Sequence, residues 1–139
     1  PWGTLPGRPL PTSAGLVDRV LDIGVDARWG GLFFRGTDPG GASDRRKVWW
    51  VQAEGLVGFL RLHRETGDPR YWRAFRDLTR WVMRRQADPT HGEWLAILHR
   101  SGVRVSDGRK SHRWKSAYHT SRACLESIRL LDQLEARVP

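Results

Sequence analysis

Two residue pairs in this chain have the types and spacing to do chemistry together. His119 and Arg122 stand three apart at the head of one helical pattern, and Trp50 and Glu54 stand four apart near the head of another. Either spacing puts both members on one face of an α-helix. An imidazole gives or takes a proton near neutrality, a guanidinium is a fixed cation rich in donors, and an ionised carboxylate only accepts. The stretch "HRWKSAYHTSRACLE" leads into the first pair with Trp114, Lys115 and Tyr118, and "KVWWVQAEGL" sets Trp49 beside the second. Flat indoles next to a few fixed donors and acceptors suit a sugar, whose ring has apolar C–H faces and an equator of hydroxyls. Taken alone, His119 and Arg122 could as well cap loops or pair with acids; the coincidence with Trp50 and Glu54 favours a site.

Other chemistries find less support. His91, His99, His112 and His119 form no finger-type pair and no HExxH run, and a single cysteine cannot anchor a thiolate site, so neither a metal nor another cofactor is expected. "GTDPGG" and "SDGRK" follow no phosphate-binding pattern, and Ser116 and Ser121 flank His119 without a nucleophile elbow. The 24 Lys+Arg against 15 Asp+Glu leave a net charge of +9. Yet Arg70, Arg73, Arg76, Arg80 and Arg84 recur at helical spacing, the pattern of a solvated helix face, so nucleic acid is not an expected partner. Cys124 is the only cysteine, no run approaches the ~18 apolar residues of a membrane span, and no secretory signal pattern is present. A soluble, cytoplasmic protein without membrane contact is the expectation.

The elements that must position the two pairs are helices. Residues 1–13, with "PWGTLPGRPLP", read as an extended linker or cut end. A first helix follows, with Leu16, Val17, Val20 and Leu21 periodic and Thr12 or Ser13 as caps. "RWGGLFFRGTDPGG" suggests a small strand and turn in a long loop. A second helix begins near "KVWW", apolar nearly all round, with Gly55 and Gly58 permitting close approach. Gly67 ends it, Asp68 caps a third helix, and Pro69 takes the first helical position. That helix runs to about Arg85 with Tyr71, Phe75, Leu78 and Val82 inward. After a second long loop, a fourth helix spans about 119–137 with Leu125, Ile128, Leu131 and Leu134 inward. The halves repeat at about sixty residues, "RWGGLFF" against "THGEWLAIL" and "KVWW" against "RWK". Helix pairs of that period must stack or close into a ring, with the long loops gathered at one end as the mouth of a site.

"KVWWVQAEGL", the "GEW" of 92–94 and "RWKSAYHTSRACLE" occur in order, with "DARWGGLFF" and "DRRK" ahead of them. Over residues 14–134 they resemble the C-terminal part of the N-acylglucosamine 2-epimerase family, which includes cellobiose 2-epimerases and mannose isomerases. The resemblance implies an all-α fold, here a partial (α/α)6 barrel over 14–139 with short β-hairpins in its long loops. It implies cofactor-free proton transfer at C2 of a reducing-end mono- or disaccharide through an enediolate, with two histidines alternating as acid and base. His119 matches one of them. Trp49, Trp50, Glu54, Trp114 and Arg122 match substrate-holding positions. Val51 stands where the family often has proline, and nothing in residues 1–13 supplies the other histidine, Arg8 occupying the place where one might be sought. Six hairpins need about 360 residues at ~60 per pair, so a chain of 139 is expected to be an incomplete ring, inactive alone, that associates with the remainder of the barrel or with itself. Two alternatives stay open. One is a glycoside hydrolase or lyase on a similar ring, using Glu54 and Glu93 as paired carboxylates; the other is a noncatalytic module that binds carbohydrate or protein.

Overall fold

A computed structural model of the protein describes residues 10–37, 40–105 and 110–136. Helix α1 (Leu10–Arg19) widens into a π-helical turn, Val20–Gly24. It starts ahead of Thr12 and Ser13, which therefore lie inside it rather than capping it. The extended stretch expected over 1–13 gives way to helix at Leu10, and residues 1–9 lie outside the described residues. Strands β1 (Arg35–Thr37) and β2 (Gly41–Asp44) form an antiparallel hairpin with Thr37 opposite Gly41. Strand β3 (Lys47–Val48) runs straight into α2 (Trp49–Thr66).

Gly67 ends α2 in the left-handed region at φ 74, its N–H donating to His63 O at 2.8 Å. Only glycine adopts that conformation without strain. Asp68 then caps α3 (Pro69–Trp81) by accepting from Arg70 N–H at 2.8 Å, and a second π-helical turn, Val82–Gln86, follows. In the next long loop β4 (Ile97–Leu98) bridges Arg104 antiparallel across a turn, through Leu98. It pairs antiparallel with β3, Lys47 opposite Leu98, and Trp49 N–H donates to Ala96 O at 3.0 Å. The two loops are thereby laced together just where α2 begins. Helix α4 (Tyr118–Glu135) completes the described chain.

The core lies on α2. Ala53, Leu56, Val57, Phe59, Leu60 and Leu62 are buried there, against Tyr71, Phe75, Leu78 and Trp81 of α3 and Ala123 and Leu130 of α4. Gly55 is needed for packing: a Cβ there would run into Leu32 Cδ1 and come within 3.1 Å of Leu78 Cδ2. On α4 the expected inward stripe is corrected. Leu125 and Ile128 are 69% and 57% exposed, while Ala123 and Leu130 are buried and Leu131 and Leu134 half-buried. Among the described helices and strands the main packed neighbour of α4 is α2, which covers one stripe of it and leaves Leu125 and Ile128 exposed.

Candidate active site

Glu54 of α2 meets His119 and Arg122 of α4, and further along Arg61 meets Glu126, so the two helices run side by side in the same direction. Both therefore begin at the same end. His119 Nδ1 lies 2.9 Å from Glu54 Oε1, and Arg122 Nη1 donates to Glu54 Oε2 at 2.6 Å. Each of the three side chains is roughly a third exposed, between 33% and 38%. Glu54 is thus not isolated among apolar groups: both its oxygens are taken and water still reaches it. A carboxylate oxygen has only lone pairs to offer, so the hydrogen in the His119 contact sits on Nδ1. In the neutral ring this leaves the Nε2 lone pair free for a proton.

Trp50 stands beside this group, its ring 6.1 Å from that of His119 and tilted by 39°. Phe34 meets Trp50 edge-on at 6.1 Å, and Tyr118 meets His119 edge-on at 5.0 Å. A cavity of about 550 Å³ opens along the same wall, lined by Phe34, Arg35, Trp50, Glu54 and, from the first helical segment, Val20 and Ile23. Of the six expected site residues, four come together here: Trp50, Glu54, His119 and Arg122.

Trp49 and Trp114 do not join them. Trp49 is 5% exposed and faces Lys115 and His112, with Lys115 Nζ 5.7 Å from its ring and the His112 ring edge-on at 5.5 Å. Adjacent residues on a helix point about 100° apart, so Trp49 and Trp50 cannot share one face. As the structure stands, Trp49 offers no free face for stacking a sugar. Trp114 is 79% exposed, with its backbone N–H donating to His112 Nδ1 at 3.3 Å, and no ring contact joins it to Trp50 among the described residues. The other described histidines sit elsewhere: His63 against Trp72, His91 beside Asp88, His112 against Trp49, and His99 in a turn closed by its N–H to Val103 O.

Two ionic groups that sequence alone does not join frame the site. Asp26 and Lys47 side chains are fully buried, 3.1 Å apart, and Arg100 donates to the same carboxylate at 2.8 and 3.1 Å. Burial alone would raise the Asp26 pKa, but the Arg100 and Lys47 hydrogen bonds outweigh it and hold the carboxyl well below its usual range. Burial pushes Lys47 down to about 8 against the pull of Asp26. The partners are 21 and 74 residues apart in sequence, out of reach of any periodicity argument. The second group is Glu93, whose Oε1 accepts from Trp94 N–H at 2.8 Å, Thr120 Oγ1 at 2.9 Å and Lys115 Nζ at 3.1 Å. Glu93 is thereby tied through Oε1 to its own loop and to the start of α4. Among the described residues no three of His, Cys, Asp and Glu converge as metal ligands, and no helix is long and apolar enough to cross a membrane.

Residues 6–123 match the N-acylglucosamine 2-epimerase (GlcNAc 2-epimerase) family. The chain belongs to that family. It is 30% identical over 133 residues to the N-acylglucosamine 2-epimerase of Bos taurus, covering 90% of this chain and 31% of that protein. It is 35% identical over 99 residues to the cellobiose 2-epimerase of Bacteroides fragilis, covering 71% of this chain and 25% of that one. A crystal structure of D-mannose isomerase superposes with a TM-score of 0.81 at 31% identity, over 86% of this chain and 30% of that chain. The cellobiose 2-epimerase of Spirochaeta thermophila gives 0.73 at 33% identity, over 89% and 30%. The chain thus spans between 25% and 31% of the length of these relatives, and its helices form an open arc of the barrel rather than a closed ring.

Proposed function

We propose that the protein carrying this chain is a sugar 2-epimerase or aldose–ketose isomerase in which His119 moves the proton at C2 of a reducing-end hexose. The observation that carries this reading is the Glu54–His119 contact at 2.9 Å with Arg122 closing on the other carboxylate oxygen at 2.6 Å. Glu54 orients the imidazole and fixes its Nδ1 hydrogen, and Arg122 keeps Glu54 from turning. His119 Nε2 then takes the C2 proton of the open-chain aldose, the C–H electron pair becomes the C1=C2 bond, and the C1=O π pair moves onto O1 to give an enediolate. Return of the proton to C2 on the opposite face gives the epimer, whereas delivery to C1 gives the ketose. One histidine returns a proton only to the face it left, so epimerisation needs a second acid/base. We propose that the remainder of a closed barrel supplies it. Trp50, with Phe34 edge-on beside it, offers the flat wall for the sugar.

The relatives bear the names of epimerases and isomerases of N-acylglucosamine, cellobiose and mannose, which supports a mono- or disaccharide substrate. The cytoplasm is the compartment we propose, on the single free cysteine. Exposed Leu125 and Ile128 on the open stripe of α4 support association with the rest of the ring or with a second copy. Light scattering across a dilution series of the purified chain tests the second of these; a monomer at every concentration rejects association with a second copy.

The decisive experiment on the reaction uses the complete protein and His119→Asn. Turnover should fall about 10²–10⁴-fold with sugar binding little changed, together with loss of solvent deuterium incorporation at C2. Near-normal turnover removes His119 from the mechanism, and a new reducing end released in place of C2 exchange would mean hydrolysis.

A further inference from the structure

We infer that Glu93 is a positioning residue for His119, acting from the second loop through Thr120 and Lys115 to fix the first turn of α4. The inference rests on the reading of His119 given above. Glu93 is the one non-glycine residue with positive φ among those described, at φ 60. Left-handed backbone is unfavourable for a side chain with a Cβ and persists where the surroundings hold it.

The repeat shows what the loop itself requires. In the first loop Asp26 N–H donates to Gly31 O and Gly30 N–H to Asp26 O, and in the second Asp88 N–H donates to Glu93 O and Gly92 N–H to Asp88 O. Glu93 therefore occupies the place of Gly31, which has φ 69. The turn works with glycine, so the glutamate is there for its side chain.

That side chain adds to the N-terminal turn of α4, where the local side-chain bond is Tyr118 N–H to Ser116 Oγ at 3.3 Å. The residue before the helix, Ala117, is in helical conformation and makes no side-chain capping bond, and the first turn carries no acid. A carboxylate near a helix N-terminus offsets the unpaired N–H dipoles there. Glu93 supplies one from outside. It grips Thr120, the residue after His119, and Lys115, three residues before the helix, whose side chain is 1% exposed. Residues on both sides of His119 are thus anchored to one carboxylate oxygen, while Glu54 holds the imidazole. Burial alone would raise the Glu93 pKa, but the Trp94 amide, Lys115 and Thr120 outweigh it and favour the charged form that the clamp needs.

The test reads the His119 ring directly, by long-range ¹⁵N–¹H spectra of the 139-residue chain above the ring's titration, with His119→Asn to assign the signals. The parent chain should show one neutral tautomer, Nδ1–H. Glu93→Gly suits the backbone conformation, so the fold should persist by circular dichroism while the signal shifts toward a mixture with Nε2–H. Thr120→Val, which leaves Glu93 and Lys115 in place, should move the signal the same way, and Glu93→Gln, which keeps an acceptor for Thr120, should stay nearer the parent. In the complete enzyme Glu93→Gly should lower kcat about 10–100-fold with KM little changed. An unchanged tautomer signature in folded Glu93→Gly overturns the inference, and if that variant does not fold, an unchanged signature in Thr120→Val does so. The signature does not depend on sugar chemistry. If it moves while His119→Asn leaves turnover intact, the clamp stands and the proposed reaction falls.

Discussion

The two long loops are built on one plan and serve opposite purposes. Each follows a π-helical turn, Val20–Gly24 or Val82–Gln86. Each has an aspartate whose carboxylate receives two backbone N–H groups, Arg28 and Trp29 onto Asp26, Thr90 and His91 onto Asp88. Each passes through two consecutive residues of positive φ, Gly30–Gly31 or Gly92–Glu93. The first loop turns its charge inward. Asp26 closes on buried Lys47 and on Arg100, reached across from the second loop, and Gly30–Gly31 lies flat on the Trp81 indole, whose Nε1 donates to Trp29 O at 2.8 Å. In the second loop Asp88 pairs within the loop with partly exposed Lys110, and Glu93 is the charge that reaches the start of α4 beside the site. A duplicated scaffold thus keeps one copy as a structural lock and uses the other to support the mouth.

That division can be tested in order of expected effect. Asp26→Asn should be the most costly change, because it leaves Lys47 buried beside Arg100 without its carboxylate. Losing one partner of a buried pair costs about 3–5 kcal/mol, read as a lowered urea midpoint. Asp88→Asn, whose cationic partner is partly exposed, should shift the midpoint far less, and equal shifts would erase the contrast between the loops. Next is Gly31→Ala. Its Cβ would sit 2.9 Å from the Trp81 ring at φ 69, so overpacking and left-handed strain together should cost about 2–4 kcal/mol. Alanine tolerated there as readily as glutamate at Glu93 would show that the indole does not set the first loop. The smallest effect is a pH slope. Lys47 has a folded pKa of about 8, against 10.5 for a free lysine side chain. Below 8 both states are protonated and the folded chain bears the full burial penalty. Between 8 and 10.5 the unfolded chain binds more protons, so stability should rise with pH by at most about 1 kcal/mol per unit. Lys47→Met should abolish that rise in thermal melts at successive pH values.

Much of this was legible in the sequence because it depends on local periodicity. Gly67, Asp68 and Pro69 marked the break between the second and third helices through cap and φ preferences that need no tertiary context. Trp50–Glu54 and His119–Arg122 could be placed on shared faces from spacing, and parallel inner helices bring them together. Where spacing misled, a neighbour decided. Leu125 and Ile128 fit the helical period as well as Leu130 does, but burial depends on what stands opposite, and only one stripe of α4 faces α2. Trp49 and Trp50 look alike in sequence, and a turn of about 100° separates a buried wall from a site wall.

The sequence by itself determined the four helices, the break at Gly67, Asp68 and Pro69, the repeat and the pairing of a tryptophan face with an acid and an imidazole, since each follows from residue type and spacing along one strand of chain. The tertiary structure alone decided which loop carries which charge. Lys47 joins Asp26 across 21 residues, Arg100 joins it across 74, and Glu93 joins Thr120 across 27. Such contacts exist only once β3 has paired with β4 and α4 lies beside α2, because an ionic or hydrogen-bonded contact needs its atoms within about 3 Å, and no local rule measures that distance between separate segments.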